Sequence, residues 1–300
     1  MVRVAVRLGG VQETLLLPLL ARATEMHARQ PILRDPKSLE IVEALDYDFR
    51  AFRLARRSRV GCLMRGIQFD AWVGEFIAAN PTGTVIELGA GLNTRFERLD
   101  NGSIHWVDLD LPDSMALREQ FFTATDRRKL VAASVLERDW FEIVRTMPGP
   151  YCFVSEAVLL YLPQIEVARL LTDLSMAFPG AMMAFDHAGR YLYETQHRHD
   201  ALMNTQARFA WFLDSPEMIT TFADGLMLMD VANMQVIGQR YHHRLPIGVK
   251  LMGLLMKLLT PRVSHSYTLC QLRLGSPTTA TIPAAAIVQA SNNSTLAVNP

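Results

Sequence analysis

Hydrophobic positions follow two different periods in the two halves of the chain. In the N-terminal part they recur at helical spacing, and Trp72 and Phe76, four positions apart, lie on one predicted helix face. The helical pattern ends just before Pro81, a residue that does not continue a helix easily. We therefore predict a helical N-terminal cap over residues 1–80.

From Thr84 onward the pattern changes to short apolar runs separated by helical stretches, which is typical of a parallel sheet with helices on both faces. Five runs are candidate strands: residues 84–88, 104–107, 130–133, 151–155 and 181–186. Two candidate helices lie between them, at residues 112–123 and 165–178. Two further strands are expected near residues 234–237 and 267–274. The fold class is α/β, a Rossmann-like, mostly parallel sheet of seven strands.

These elements suggest one domain with additions. The predicted core spans residues 81–275 and includes a helical lid insertion after the fifth strand, at about residues 187–230. Residues 276–300 are rich in Ser, Thr, Ala, Pro and Asn without periodicity, so we predict a disordered tail.

Composition narrows the function classes. Thirty basic and thirty acidic residues cancel, which does not favour nucleic acid as a partner and leaves a small molecule as the expected one. Three cysteines without a Cys-x-x-Cys pair argue against disulfides and zinc, so we predict a cytoplasmic protein with no metal. The composition is compatible with a homodimer but does not indicate one.

The most apolar segment, residues 246–259, is too short to cross a bilayer as a helix, so we predict no membrane span. Its lysines, Lys250 and Lys257, lie seven positions apart on one helical face. The segment is either a core or lid helix with its lysines in water, which we favour, or a surface for a membrane or hydrophobic substrate.

A glycine turn directly follows the first candidate strand. Gly89, Ala90 and Gly91 form a Gly-x-Gly turn, and glycine lets the backbone approach a ligand closely. The third glycine of a dinucleotide-binding motif would stand at position 94, where this chain has Thr94. That difference argues against NAD or FAD.

Acidic residues accompany the turn. Glu87 would repel a pyrophosphate but suits a cationic sulfonium ligand. Asp108 and Asp110 follow Gly89 by about twenty residues, where an acid can accept hydrogen bonds from ribose hydroxyls. The strand, the turn and these acids together predict S-adenosylmethionine as the cofactor, whereas a Gly-x-Gly turn alone would be an ordinary strand-to-helix turn about half the time.

The chain also resembles the leucine carboxyl methyltransferase family, in particular its bacterial branch of tetracenomycin-type polyketide O-methyltransferases. The resemblance extends from Gln12 to about Leu274. It rests on Leu-Gly-Ala-Gly-Leu-Asn-Thr-Arg at residues 88–95 and on residues 13–16, 32–36, 45–49, 107–112, 139–140 and 155–163. It implies a class I methyltransferase that methylates an oxygen atom, in a carboxylate of a polyketide or aromatic secondary metabolite.

The resemblance also implies roles for individual residues. Arg65 looks like the family arginine that pairs with the donor's carboxylate, and Asp110 like the ribose acid. Ser134 and Val135 stand where relatives place an Asp-Leu pair beside the adenine, and Glu156 matches a glutamate that faces the donor. Three positions depart from the family pattern: Asn93 for Asp, Ser134 for Asp and Ala157 for Gly. None of these departures removes the donor site, but a donor affinity typical of the family is less expected.

Acceptor chemistry is expected after the fifth strand. A carboxylate acceptor needs only orientation, which Arg190 with Tyr191 could supply, whereas a phenol needs a base such as His187 beside Asp186. Other polar candidates in the same region are Tyr193, His197, His199 and Arg208. Two other functions stay open at this point: methylation of a phenol or hydroxyl, and a catalytically silent adenosyl-binding protein.

Overall fold

The structure of the chain is a computed structural model. It describes residues 3–52, 55–199, 202, 205–259 and 261–275. Its centre is a seven-stranded sheet of β3 (Thr84–Leu88), β4 (His105–Asp110), β5 (Arg128–Ala132), β6 (Tyr151–Ser155), β7 (Met182–Ala188), β8 (Met227–Asn233) and β9 (Tyr267–Arg273). The strands lie in the order β5-β4-β3-β6-β7-β9-β8. Neighbours from β5 to β7 pair in parallel, and β9 pairs antiparallel with both β7 and β8. The predicted fold class is confirmed.

The helices cover both faces of this sheet. They are α1 (Leu16–Glu25), α2 (Pro36–Ala44), α3 (Arg56–Ala79), α4 (Arg95–Leu99), α5 (Pro112–Arg118), α6 (Trp140–Arg145), α7 (Gln164–Ala177), α8 (Arg190–Thr195), α9 (Met234–Arg240), α10 (Ile247–Leu259) and α11 (Pro261–His265). Short 3-10 helices lie at Gln12–Leu15, Phe49–Phe52, Leu159–Tyr161, Gln196–Arg198, Pro216–Thr221 and His242–Arg244. Among the described residues, no helix is long and apolar enough to cross a membrane.

Successive residues of β3 point to opposite faces and join two different cores. Ile86 packs with α6 and α7, while Val85 packs with α3 and α9. All five residues of β3 are buried, as expected for a central parallel strand. The central position of β3 places the turn that follows it in the middle of the sheet's carboxyl edge.

The N-terminal cap contains more than the predicted helices. A two-stranded parallel sheet joins β1 (Val4–Ala5) to β2 (Leu45–Asp46). Helix α3 reaches the sheet and packs in one cluster with Val85 and Trp106. The end of the predicted cap is therefore also one of the layers that cover the core.

One predicted strand is wrong. Residues 234–237 belong to helix α9, and the strand is β8, which ends at Asn233. The side chain of Asn233 accepts hydrogen bonds from the backbone N–H groups of Gln235 and Val236, each at 3.0 Å, and so starts the helix. β8 is an edge strand whose Met227 and Met229 are exposed, so its alternation does not stand out as a buried strand.

Among its described residues, the region after β7 contains α8, two 3-10 helices and the first residues of β8, so the predicted lid at 187–230 is not helical throughout. The division into cap, core and lid stays a prediction. The predicted disordered tail, residues 276–300, lies outside the described residues.

Candidate active site

A cavity of about 800 Å³ lies at the carboxyl ends of the parallel strands. Its walls come from the N-terminal segment before α1, from the turns after β3, β4, β5 and β6, and from the segments around α8 and α10. The edge of a parallel sheet where strand order reverses is the usual ligand site of open α/β folds. The cavity thus has a donor end at the turns and an acceptor end under α8, α10 and β9.

The glycine turn forms the floor of the donor end. Gly89 and Gly91 adopt left-handed backbone conformations, with φ of +74° and +47°. A Cβ on Gly89 would lie 2.2 Å from Cγ2 of Val158, so no side chain fits there. Glycine is therefore required at this position because Val158 packs against its backbone, and Ala90 lines the cavity between the two glycines.

Asp110 lies at the end of β4, beside this turn. Its Oδ2 accepts a hydrogen bond from the Gly91 N–H at 2.6 Å, and its Oδ1 accepts one from the Leu111 N–H at 2.7 Å. Burial raises the pKa of the carboxyl, although these backbone donors act against the shift. Asp110 lines the cavity, as the prediction of a ribose acid requires.

An ionised glutamate stands at the centre of the donor end. Glu156 accepts a hydrogen bond from Arg65 Nε at 2.8 Å and another from Arg95 at 2.6 Å. Burial would raise its pKa, but Arg65, Arg95 and Arg22 outweigh burial and lower the pKa to about 2. Arg65 and Glu156 both line the cavity, so the structure brings these two predicted residues together.

Ala157 follows Glu156 in the left-handed region, with φ of 58°. Glycine is the residue that adopts this conformation without strain, which gives a physical meaning to the family's glycine at this place. The Ala157 N–H donates to both carboxylate oxygens of Asp186, at 2.9 and 3.1 Å. This anchor to β7 holds the strained residue in the cavity wall.

Ser134 and Val135 complete the donor end. Both line the cavity after β5, as predicted for residues beside the adenine. The Ser134 hydroxyl accepts from the Leu136 N–H at 3.2 Å, and the Ser134 N–H donates to Glu137. A serine hydroxyl can still accept a further bond from an amino group.

Two predicted donor residues do not line the cavity. Glu87 forms an ion pair with the buried Arg95 and is 3% exposed. Asp108 is fully buried between Arg118, at 2.9 Å, and Arg128, at 2.7 Å. Both carboxylates form ion pairs beneath the turn. The structure therefore does not support the prediction that they contact the donor.

The predicted acceptor residues also separate. His187 is buried against Trp211 and does not line the cavity, and burial lowers its pKa to about 4. Arg190 forms an exposed bidentate pair with Asp214, at 2.8 and 2.6 Å, outside the cavity. Only Tyr191 of the three lines the cavity. His187 and Arg190 are therefore withdrawn as acceptor residues.

Sequence reasoning missed the polar group next to the acceptor end. The Tyr267 hydroxyl donates to Asp186 Oδ2 at 2.5 Å and accepts from Arg65 at 2.8 Å. Burial raises the pKa of Asp186 to about 6, against the effects of Arg65 and Tyr267. Tyr267 lines the cavity. It starts β9, far along the chain from the other site residues, and no local motif marks it.

The rest of the acceptor end is mostly apolar. Its walls include Leu160, Tyr161, Leu192, Leu202, Phe209, Met252, Met256 and Val263. Arg198 and His199 are polar exceptions there. The described residues contain no group of three or more His, Cys, Asp or Glu side chains that could hold a metal ion.

The donor end fits S-adenosylmethionine. The ionised Glu156 suits a cationic ligand, Asp110 suits ribose hydroxyls, and Gly89 and Gly91 line the same cavity with backbone alone. A pyrophosphate would instead meet two carboxylates at this place.

Comparison with known proteins also indicates a methyltransferase. The sequence profile of the family described as Leucine carboxyl methyltransferase matches residues 16–175. The tetracenomycin polyketide synthesis O-methyltransferase TcmP of Streptomyces glaucescens is 30% identical over 230 residues, which cover 76% of this chain and 85% of that protein. The S-adenosyl-L-methionine-dependent methyltransferase dpfgK of Gibberella zeae is 26% identical over 251 residues, covering 74% and 81%.

Solved structures share the fold. A Streptomyces avermitilis protein of the duf574 family superposes with a TM-score of 0.53 at 14% identity, covering 85% of this chain and 96% of the other. A Thermobifida fusca YX protein assigned as a methyltransferase gives a TM-score of 0.53 at 15% identity, covering 85% and 94%. With this fold, this donor site and these relatives, the chain belongs to the leucine carboxyl methyltransferase family and is an S-adenosylmethionine-dependent methyltransferase.

Proposed function

We propose that the enzyme methylates a carboxylate oxygen of an apolar, aromatic small molecule of the polyketide type. The observation that carries this proposal is the composition of the acceptor end, where apolar walls stand beside the cationic side chain of Arg198. An aromatic body suits such walls, and a guanidinium suits an anionic acceptor. The similarity to TcmP, an O-methyltransferase of polyketide synthesis, supports the same acceptor class.

We propose that different residues of the donor end hold different parts of S-adenosylmethionine. S-adenosylmethionine, when bound, supplies a methyl group on a sulfonium sulfur. Glu156 and the glycine turn hold the donor's cationic end, Asp110 the ribose, and Ser134 and Val135 the adenine side. Arg65 stays the candidate for the donor's carboxylate, because its guanidinium lines the cavity beside Glu156.

Orientation of the acceptor oxygen is the main catalytic task, because a carboxylate is already a nucleophile at neutral pH. Tyr267 and Asp186 act as positioning residues in this proposal. The Tyr267 hydroxyl links Asp186 to Arg65, so it fixes the guanidinium at the boundary between the two ends of the cavity. Alignment of the acceptor oxygen with the departing sulfur then depends on the fixed positions of these side chains. It does not depend on a proton transfer.

A second candidate function is methylation of a phenol. One observation favours it: His199 lines the acceptor end and is the type of group that can take a phenol proton near neutral pH. In that case the rate would follow the ionisation of a base, whereas a carboxylate acceptor would show a flat profile above its own pKa.

The deciding experiment uses methyl-labelled donor with matched pairs of aromatic acceptors that carry either a carboxyl or a hydroxyl group on the same ring system. We expect label in the carboxyl series, in a product that mild base hydrolyses, since methyl esters are base-labile and aryl methyl ethers are not. A base-stable product from the hydroxyl series would replace this proposal with the phenol one. His199→Gln serves as the matched variant, because it should slow only phenol methylation.

Two further predictions accompany this function. The cytoplasmic location stays a prediction that rests on the cysteine pattern of the sequence, which does not favour disulfides. The homodimer also stays a prediction, which light scattering of the purified enzyme would test.

A further inference from the structure

Helix α10 presents an apolar face to solvent. Six of its residues are more than half exposed: Ile247, Leu251, Leu254, Leu255, Leu258 and Leu259. Their spacing of three, four and seven positions places them on one side of the helix. Contiguous exposed apolar surface of this kind marks a contact surface in a folded protein.

The other side of α10 belongs to the enzyme. Val249 is buried, and Met252 and Met256 line the active-site cavity. Lys250 and Lys257 lie seven positions apart, along one edge of the exposed face. The helix therefore separates the acceptor end of the cavity from an apolar surface with a cationic border.

The chain segment that carries this face is cationic although the whole chain is neutral. No Asp or Glu occurs between residues 231 and 275, whereas Arg244, Lys250, Lys257 and Arg262 lie on α10 or next to it along the chain. Beside the start of α10, a cleft of about 670 Å³ is lined by Arg29, Arg56 and Arg59, by one acid, Glu25, and by Pro246 and Val249, so its charged lining is cationic in balance. Cations thus stand along the edge of the apolar face and at its N-terminal end.

We propose that α10 and this arginine cleft dock the enzyme on an anionic lipid bilayer. Apolar side chains on one helix face, with basic residues at the border, form the pattern of a helix that lies in the membrane interface. Lys250 and Lys257 would meet lipid phosphates, and the arginine cleft is large enough for a headgroup.

A second copy of the chain is a poorer occupant of the same face. A two-fold symmetric contact centred on α10 would bring the helix against itself. Its lysines would then face the same helix of the other copy, and residues 231–275 contain no acidic side chain to pair with them. An anionic bilayer offers the complementary charge that a second copy of this helix lacks.

Docking in this orientation would place the acceptor end of the cavity beside the membrane. Met252 and Met256 lie on the same short helix as the docked leucines, so an apolar molecule dissolved in the lipid would have a short path to the cavity. The docking itself does not depend on which oxygen is methylated, so a failure of the acceptor proposal leaves it intact.

The test is flotation of the full chain with vesicles of phosphatidylcholine alone and with added phosphatidylglycerol. We expect binding only to the second kind, weakened by salt. The double variant Leu254→Ser/Leu258→Ser should bind about tenfold more weakly. Lys250→Gln/Lys257→Gln should also lose about tenfold, on the anionic vesicles.

Met176→Ser is the matched control, because Met176 is 54% exposed on α7, close to the 56% of Leu254. It should bind like the parent, and circular dichroism should show the same fold for every variant. No binding to either vesicle, or equal binding to both, would overturn the proposal.

Two other results would assign the face to another occupant and also overturn it. One is a dimer in light scattering that only Leu254→Ser/Leu258→Ser dissociates. The other is vesicle binding that appears only when the chain is ended at Gly275, which would assign the face to residues 276–300.

Discussion

The two ends of the cavity are built from different interactions. At the donor end, buried charges hold the turns: Arg95 contacts Asp70, Glu87 and Glu156 at once, and Arg22 donates to Asp35 and to the Leu92 carbonyl oxygen. At the acceptor end, apolar side chains from distant segments form most of the wall. A fixed cofactor needs fixed dipoles and charges, whereas an acceptor pocket needs shape that can differ between relatives.

Two buried carboxylates, Glu156 at the donor end and Asp186 next to the acceptor end, also differ in their surroundings. Glu156, between guanidinium groups, has its pKa lowered to about 2 and stays ionised. Asp186 is fully buried and accepts a hydrogen bond from the Tyr267 hydroxyl, and burial raises its pKa to about 6. Both lie within one small region, and their environments move their pKa values apart, which is a common way to give two acids different tasks.

The largest effect is expected from removing the buried charge of Arg95, which lies beneath the donor end. Arg95→Met leaves three carboxylates without their shared partner while keeping much of the side-chain volume. Breaking a buried ion pair in this way costs about 3–5 kcal/mol of unfolding free energy. Urea denaturation of the variant and the parent measures this loss.

Arg190→Met is the control for that experiment. Arg190 also makes a bidentate ion pair, with Asp214, but both side chains are about half exposed. We expect less than about 1 kcal/mol of lost stability. Equal losses in the two variants would mean that the donor end does not depend on its buried charges.

The second prediction concerns pH and compares neighbouring residues of β7. Asp186 has a folded pKa of about 6, raised from 3.8, so its contribution to stability is present below pH 3.8 and is lost as pH rises through about 6. His187 has a folded pKa of about 4, lowered from 6.5, so its contribution is present above pH 6.5 and is lost as pH falls through about 4. Each amounts to about 3 kcal/mol.

These opposite contributions nearly cancel between pH 4 and 6 in the parent. Asp186→Asn should therefore reveal a stability that rises with pH in this window, and His187→Gln one that falls. Urea denaturation at several pH values within the window measures both slopes. Parallel curves for the parent and the two variants would contradict the assigned environments.

These neighbours also show what the sequence could not reveal. Adjacent residues on a strand point to opposite faces, so Asp186 reaches Ala157 and Tyr267 while His187 packs on Trp211. Proximity in sequence suggested that they act together, and the pleat of the strand separates them. Arg190 was misassigned for a related reason, because its partner Asp214 is set by folding of a distant loop.

The donor end was more predictable because its signals are local. Gly89, Gly91 and Asp110 follow buried strands at fixed spacing, and the sheet brings the ends of those strands together. Glu87 and Asp108 carried the same signal but point below the turn, since each is paired with buried arginines. Tyr267 and Met252 reach the acceptor end only through the packing of β9 and α10, which no motif encodes.

A third prediction tests the charge of Glu156 directly. Glu156→Gln keeps the shape and removes the negative charge beside the donor's cationic end, so donor affinity should fall by about 30-fold, or about 2 kcal/mol. Titration calorimetry measures it. Glu142→Gln, at an exposed surface position, should leave the affinity unchanged. An unchanged affinity in Glu156→Gln would remove this residue from the donor site.

The smallest effect is expected at the acceptor end. Met252→Ala enlarges an apolar wall and removes contacts with the acceptor but touches none of the donor's charged partners. We expect the KM for the acceptor to rise about threefold to tenfold, with kcat and the donor Kd nearly unchanged, because the lost contact is the same in the ground and transition states. Steady-state kinetics with donor calorimetry measures all three, and Met176→Ala is the control on an exposed surface. A donor Kd that shifts as much as the acceptor KM would show that the two ends of the cavity are one coupled site, because a flexible wall would then transmit its change to the buried charges.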